Sequence, residues 1–399
     1  MTTTPALPVP ALTSREKVIA ITAIAALAYI VYLPSLAGGF LWDDDTLVTH
    51  NPLITAANGL FRIWFTSEAV DYWPVTNSSF WIEWRLWGMN PIGYHVTNLL
   101  LHIASAILFW ALLRRLRIPG ALLAAAIFTV HPVNIESVAW IAERKNTLSL
   151  CFSLLSALWF VMDESEPAGR SRRWYALSLA GFVLAMLSKG SAASLPLVLL
   201  LIVWWIRDRI TARDLIRVAP FFIVAAALTL VNLWFRTHGD GEVFREATLA
   251  ERIAGAGAIV WFYVLKAFWP VRLAFVYPLW KIDAGEIQWW VPLAGAVLLT
   301  AVLLLYRERT WGRAGLFAWS FYCVSLLPVL GLVDTPFMRY SLVADHYQYT
   351  AILGLAALVA AGLSAPFEAI LTPQALPDRR APSRAPSSRG RHRPRQPAH

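Results

Sequence analysis

The chain has 399 residues, 58% of them hydrophobic and only 15% charged, with 34 Lys and Arg against 25 Asp and Glu. A soluble domain carries nearer one quarter charged residues, so this balance excludes a large water-soluble core and reads as a polytopic membrane protein. The two cysteines, Cys151 and Cys323, both lie in apolar runs; they read as buried, inert thiols and exclude a disulfide framework.

Residues 1–17 are polar and read as a cytoplasmic N-terminus. The first apolar run, 18–36, is long enough to span a bilayer and lacks a small-residue cleavage site, so it reads as a retained helix. Further apolar runs recur at 96–113, 119–135, 147–162, 174–189, 191–206, 218–235, 290–305, 314–333 and 350–365. The arginines of the short loops, among them Arg114, Arg115, Arg117, Arg207, Arg217 and Arg313, fall on one side. That side, counted with the terminal segments, takes 22 of the 34 basic residues and only 9 of the 25 acidic ones. The positive-inside rule makes it cytoplasmic, with both termini there. Parity of crossing then makes 253–270 an element lying along the interface, with Lys266 reaching back to water; the alternative is a true span paired with a second one in 271–288. The expected fold is an all-α polytopic bundle over 18–366, with about 10–11 transmembrane helices and a long extracytoplasmic first loop, 37–95. Residues 367–399, rich in Pro, Arg and Ser, read as a disordered basic cytoplasmic tail suited to anionic membrane lipids. The tail lacks interleaved aromatics, so no nucleic-acid partner is expected.

Polar chemistry gathers in four segments on the other side. The first loop holds Asp43, Asp44 and Asp45 directly after Trp42, then Trp73 and its neighbours; a loop of this length is typically functional. The second segment runs from His131 to Asn146 and holds Glu136, Glu143, Arg144 and Lys145; on one helix, Glu136 and Glu143 would share a face. Lys189 sits alone at a helix end. The fourth segment holds Arg339, Asp345, His346 and Tyr347. Carboxylates for base work and cations for a leaving phosphate are the kit for transfer from a sugar-phosphate lipid. Repulsion between adjacent carboxylates would raise the pKa of at least one aspartate. A divalent metal on Asp43–Asp45 is the rival use and is not favoured, because consecutive residues do not converge easily on one ion and no ligand spacing announces zinc.

The stretches FLWDDDTLVTHNPLI, YWPVTNSSFWIEWRLWGMNPIGYHVTNLLLH, FTVHPVNIESVAWIAERKNTLS, LSKGSAASLPLVLLL and VADHYQYTAILGL carry a resemblance. The chain resembles the transmembrane, TPR-containing protein O-mannosyltransferase-like proteins of the C-type glycosyltransferase superfamily. That resemblance implies a polyprenyl-phosphate sugar as donor, a protein or glycan acceptor, an extracytoplasmic active site in an integral protein of the bacterial inner membrane, and inversion at the anomeric carbon. It places catalysis on Asp43 and Asp44, with Asp45 as an additional acid; Glu136 and Glu143 of the second segment are read beside it as supporting acids. Arg144, Lys145, Lys189, Arg339 and His346 would hold the donor phosphate, and Trp73, His131, Asp345 and Tyr347 would meet the acceptor or sugar. Three departures stand out: the C-terminal helical repeats common in the family are not in this sequence, His346 stands where the family more often carries Arg, and Gly190 replaces the more usual Pro after Ser-Lys. The competing classes are a flippase for lipid-linked sugar, which would place polar groups at the midplane, and a noncatalytic scaffold.

Overall fold

The computed structural model describes residues 12–166, 171–238 and 245–371. Helix α1 (Ser14–Tyr32) starts from a capping box: the Glu16 amide donates to the Thr13 hydroxyl and the Thr13 amide to the Glu16 carboxylate. The expected first loop is itself folded. It contains α2 (Gly59–Phe65) and α3 (Pro74–Trp87), and ends in the first turn of α4 (Pro91–Arg115). Both α3 and α4 begin on a proline, where the missing N–H has no helical partner to lose. The Asn90 side chain caps α4 by accepting from the Ile92 amide at 3.1 Å. Val48, Leu53, Ile54, Ile63, Phe80, Tyr94 and Ile141 give this region a small core of its own.

The run expected at 119–135 breaks. Helix α5 (Ala121–Val130) stops at His131–Pro132 and the chain bends by 55°, because proline lacks the donor and its ring obstructs the preceding turn. The Asn134 side chain donates to the freed Phe128 carbonyl at 2.7 Å. The expectation that Glu136 and Glu143 share one helical face is therefore corrected. Pro132–Asn134 and Ile141–Glu143 are 3-10 turns, Ile135–Ala139 is a short helix, and Trp140 between them is extended.

The remaining helices are α6 (Arg144–Glu164), α7 (Arg172–Ser188), α8 (Leu195–Arg207), α9 (Ala212–His238), α10 (Leu249–Phe268), α11 (Val291–Leu305), α12 (Thr310–Leu326) and α13 (Ile352–Leu371). Each apolar run of the sequence thus carries a helix, but six, not ten, are long and apolar enough to cross a membrane among the described residues, or seven if the bent 121–139 pair is one span. Helices α7 and α12 have 17 residues each, at the short end of the length that spans a bilayer. The 253–270 run is helix α10; it carries Glu251, Arg252 and Lys266 and is not among the six. Residues 367–371, assigned to the tail, still belong to α13; 372–399 lie outside the described residues.

Helix α6 is central, packed along α4 and α7; α1 lies on α4 and α5, and α13 on α5 and α12. A second unit joins α10, α11 and α12. Helices α10 and α11 touch backbone to backbone: a Cβ at Gly257 would stand 2.6 Å from the Leu293 Cα, so only glycine fits there. Among the described residues, the loop arginines assigned to the cytoplasmic side gather at one end of the bundle. There Trp205 donates to the Leu116 carbonyl at 3.0 Å and Arg313 to the Trp205 carbonyl at 2.8 Å. Arg217 pairs with Asp163 and Glu164, and Arg207 with Glu164 and Asp214. These acids are buried, so removing one arginine leaves uncompensated charge. Arg217→Ala is expected to cost about 3–5 kcal/mol, read as a fall in thermal midpoint in detergent; an unchanged midpoint would show the cluster to be dispensable.

Candidate functional site

At the opposite end of α4 and α6, the segments singled out in the sequence converge. Trp42 adopts a left-handed backbone, φ 45°, a strained state for a bulky residue of the kind that clusters at functional sites. The strain is held in place by packing: the indole stacks on Trp140 with centroids 6.1 Å apart and lies against Phe275, Phe337 and Tyr340. The turn sends the three aspartates different ways. Asp44 is fully buried and its carboxylate accepts from the backbone amides of Leu41 (2.8 Å) and Ala142 (2.6 Å), pinning the first loop to the 141–143 turn. Asp43 is half-buried, and Lys145, Glu143 and His346 act on it electrostatically. Asp45 is exposed, accepts from the Thr49 hydroxyl at 3.0 Å and stands 3.9 Å from His50.

Burial lifts the Asp43 carboxyl above its ordinary range against the pull of Lys145, and lifts Asp44 to about 6 against the two backbone donors. Repulsion between neighbouring carboxylates, the cause expected from sequence, is a lesser contribution. Asp345 is likewise raised to about 6 by burial and by Glu136, while the Tyr277 hydroxyl, 3.0 and 3.1 Å from its two oxygens, opposes the shift. Asp345 binds its proton more tightly folded than unfolded. Its stabilising contribution is therefore full below about pH 4 and lost as the pH rises through about 6. Thermal midpoints should show the wild type losing stability relative to Asp345→Asn between pH 4 and 7; parallel curves would contradict the shift.

The cations form a buried group around Glu143. Lys145 is 2.8 Å from Glu143 and lies over the rings of Trp140 and Trp73 at 5.5 and 5.8 Å. Lys189 is 3.7 Å from Glu143 and donates to the Asn146 side-chain oxygen at 2.6 Å. His346 is paired through Nδ1 with Glu136 at 2.8 Å, and its Nε2 is 3.9 Å from Glu143. Glu136 also accepts from the His346 amide at 3.0 Å. So the two glutamates do share a partner, although they share no helix face. Among the described residues no group of three or more His, Cys, Asp or Glu is arranged to hold a metal ion.

A narrow apolar cleft, about 90 Å³, starts at this group. It runs from Asn146, Lys189, His346 and Tyr347 between α4, α6, α8, α12 and α13 as far as Leu116 and Ile118. Along α6 it follows Asn146 to Ala157, about 16 Å at a rise of about 1.5 Å per residue.

Other candidates fall elsewhere. Arg144 is corrected: it does not join the cation group. It is fully buried, donates to the Asn98 side chain and to the Tyr94 carbonyl (2.8 Å), and pairs with Glu83 at 2.8 Å, tying α6 to α3 and α4. His131 is also corrected: Nε2 lies 2.9 Å from the Ala267 carbonyl and Nδ1 accepts from the Val133 amide at 3.4 Å, so the ring caps the 132–134 turn and docks it on α10. Arg339 is exposed at the end of a 3-10 turn. The Tyr347 hydroxyl is 3.0 Å from the Thr335 hydroxyl. Asn146 and Tyr277 received no role from sequence. Asn146 lies inside the run HPVNIESVAWIAERKNTLS, directly after Arg144 and Lys145; Tyr277 carries no signal of its own in the sequence.

The fold and this charged cluster define a class: an integral α-helical membrane protein with a buried polar centre at one end of the bundle. No family model matches the chain. It is similar to a protein O-mannosyl-transferase of Caenorhabditis elegans (30% identical over 155 residues, 35% of this chain and 22% of the relative). It is also similar to the protein O-mannosyl-transferases Tmtc1 of Drosophila melanogaster (32% over 158 residues, 36% and 18%) and TMTC4 of Homo sapiens (31% over 196 residues, 42% and 26%). The resemblance read from the motifs is thus borne out, although the chain spans only about a fifth to a quarter of the length of these relatives. Among solved structures, that of ArnT from Cupriavidus metallidurans bound to undecaprenyl phosphate is similar over 90% of this chain and 63% of that one, with 16% identity and a TM-score of 0.46.

Proposed function

We propose that the chain is a membrane glycosyltransferase that moves a sugar from a polyprenyl-phosphate donor to a hydroxyl acceptor on the extracytoplasmic face. The observation that carries this reading is Lys189 and His346 at the mouth of an apolar cleft, joined through Glu143 to Lys145, which acts on the half-buried Asp43. An apolar cleft ending in cations suits a lipid with an anionic head. Its free volume is small, so a lipid tail enters by parting the helices that flank it. The relatives' names supply the reaction class, and the basic residues gathered at the opposite end of the bundle favour the extracytoplasmic side for Asp43.

In this account Asp43 takes the proton of the acceptor hydroxyl as its oxygen bonds to the anomeric carbon. The bond from that carbon to the phosphate oxygen breaks, and the lipid phosphate leaves with the electron pair, its charge met by Lys189 and Lys145. A single displacement inverts the anomeric centre. Asp44, with both oxygens held by backbone amides, fixes the turn that carries Asp43. Polar groups gathered at one end of the bundle, rather than at the midplane, favour transfer over transport.

Lys189→Met is expected to weaken binding of polyprenyl phosphate about tenfold, the loss of one charge-assisted contact, read by native mass spectrometry of the protein in nanodiscs. Unchanged lipid binding would remove Lys189 from the donor site.

A further inference from the structure

The structure holds a second cavity, of about 500 Å³, with Trp140 in its wall. We propose that this cavity is the acceptor site, and that it admits hydroxyl-bearing polypeptide segments that are uncharged or basic while turning away acidic ones. The proposal deepens the transfer reading above and rests on it.

The size is that of a small-ligand pocket, about 300–1,000 Å³, enough for a few residues of chain. Its ionisable lining is one-sided: Asp44, Glu136 and Asp345 with His95, and no lysine or arginine. The cations nearby are engaged elsewhere. Lys189 lines the other cavity, Lys145 and Lys189 are paired with Glu143, although Lys145 also acts on Asp44 from outside the lining, and Lys266, which acts on Asp345, donates to the carbonyls of Val271 and Arg272 at 2.8 and 3.0 Å. Three carboxylates around a half-enclosed space concentrate negative potential, and a like charge brought into it is repelled.

The two cavities share a wall. His346 lines the cleft, Glu136 lines the second cavity, and the two are paired at 2.8 Å. Cations lie on one side of that pair and carboxylates on the other. An anionic lipid head is drawn to the first and an uncharged or basic partner to the second, and the two meet across Glu136 and His346, which acts electrostatically on Asp43. Each substrate is thereby sorted to its own side by charge.

The walls favour a polypeptide over a glycan. They are mainly apolar, from Phe40, Leu41, Ile135 and Leu273. Trp140, the one indole in the lining, is covered by Trp42 stacked on it and by Phe275 at 4.7 Å, so it offers no open face to a sugar ring. Gly39 has open space where a Cβ would stand, leaving backbone accessible to a bound chain. His95 is 3% exposed, and its ring lies against the Gly38 carbonyl at 3.2 Å and the Ala139 backbone, which fixes it in the cavity wall.

The test uses the full chain in nanodiscs and three fluorescent threonine peptides of equal length: uncharged, lysine-flanked and glutamate-flanked. Anisotropy should rank the first two together and the glutamate peptide weaker by about tenfold or more. Filling the cavity with Ala139→Trp should abolish peptide binding, and Asp345→Asn should narrow the charge discrimination. Polyprenyl phosphate binding, followed by native mass spectrometry on the same preparations, should survive Ala139→Trp. Equal binding of the glutamate peptide, binding of neutral oligosaccharide in place of peptide, no peptide binding in the wild type, or no effect of Ala139→Trp would each overturn the proposal. Failure of the wild type to bind polyprenyl phosphate would instead overturn the transfer reading. The peptide ranking needs no variant, so a misfolded substitution leaves it decisive.

Discussion

Asp43→Asn is expected to lower sugar transfer by about 10²–10⁴-fold, the contribution of a positioned general base, while the protein inserts and unfolds as the wild type does. The amide keeps the size of the carboxylate but accepts no proton. Among the described residues the Asp43 carboxylate takes no hydrogen bond from the frame, whereas its neighbour Asp44 holds two backbone amides, so the two substitutions should separate. Asp44→Asn replaces an acceptor-only group by one that also presents donors to the Leu41 and Ala142 amides. It should lower the thermal midpoint along with activity. Because burial lifts the Asp43 carboxyl above its ordinary range, transfer by the wild type should rise with pH through an apparent pKa higher than that of a free aspartate. Equal loss of stability in both variants would show that the aspartates share one role.

Glu143→Gln should be the most damaging substitution in the buried cluster. Glu143 is fully buried, pairs with Lys145 and Lys189, stands 3.9 Å from His346 Nε2 and accepts from Asn146. Removing its charge leaves two buried lysines with no full counter-charge in contact, a situation that typically costs about 3–5 kcal/mol. The expected readout is a lower thermal midpoint with loss of donor binding, both partly restored by adding Lys189→Met, since one lysine then no longer needs a partner. If the double variant is no better than the single, Glu143 acts as something other than the shared counter-charge.

Much of this arrangement was legible in the sequence, for identifiable reasons. Hydrophobic length located the helices, and the arginine bias grouped loop ends that the structure does bring to one end of the bundle. The motifs pointed to the segments that meet around Glu143. What could not be read was direction. Arg144 and Lys145 are adjacent, yet on a helix neighbours point about 100° apart; one turns into a strut with Glu83 and Asn98, the other into the cluster. Asp43 and Asp44 are separated in the same way by the left-handed turn at Trp42, which nothing in a tryptophan announces. The pairing of Glu136 with His346 joins positions 210 residues apart, and Pro132 broke the helix on which a local argument for the two glutamates depended. Tyr277 reaches Asp345 only through tertiary packing.

The account stands or falls on transfer itself. The direct measurement is incubation of the purified chain in vesicles with polyprenyl phosphate carrying a labelled sugar, following where the label goes. The label is expected to leave the lipid and appear on a hydroxyl-bearing acceptor, with Asp43→Asn inactive. Label that stays on intact lipid and crosses the bilayer, or that leaves the lipid equally fast in Asp43→Asn, would contradict it.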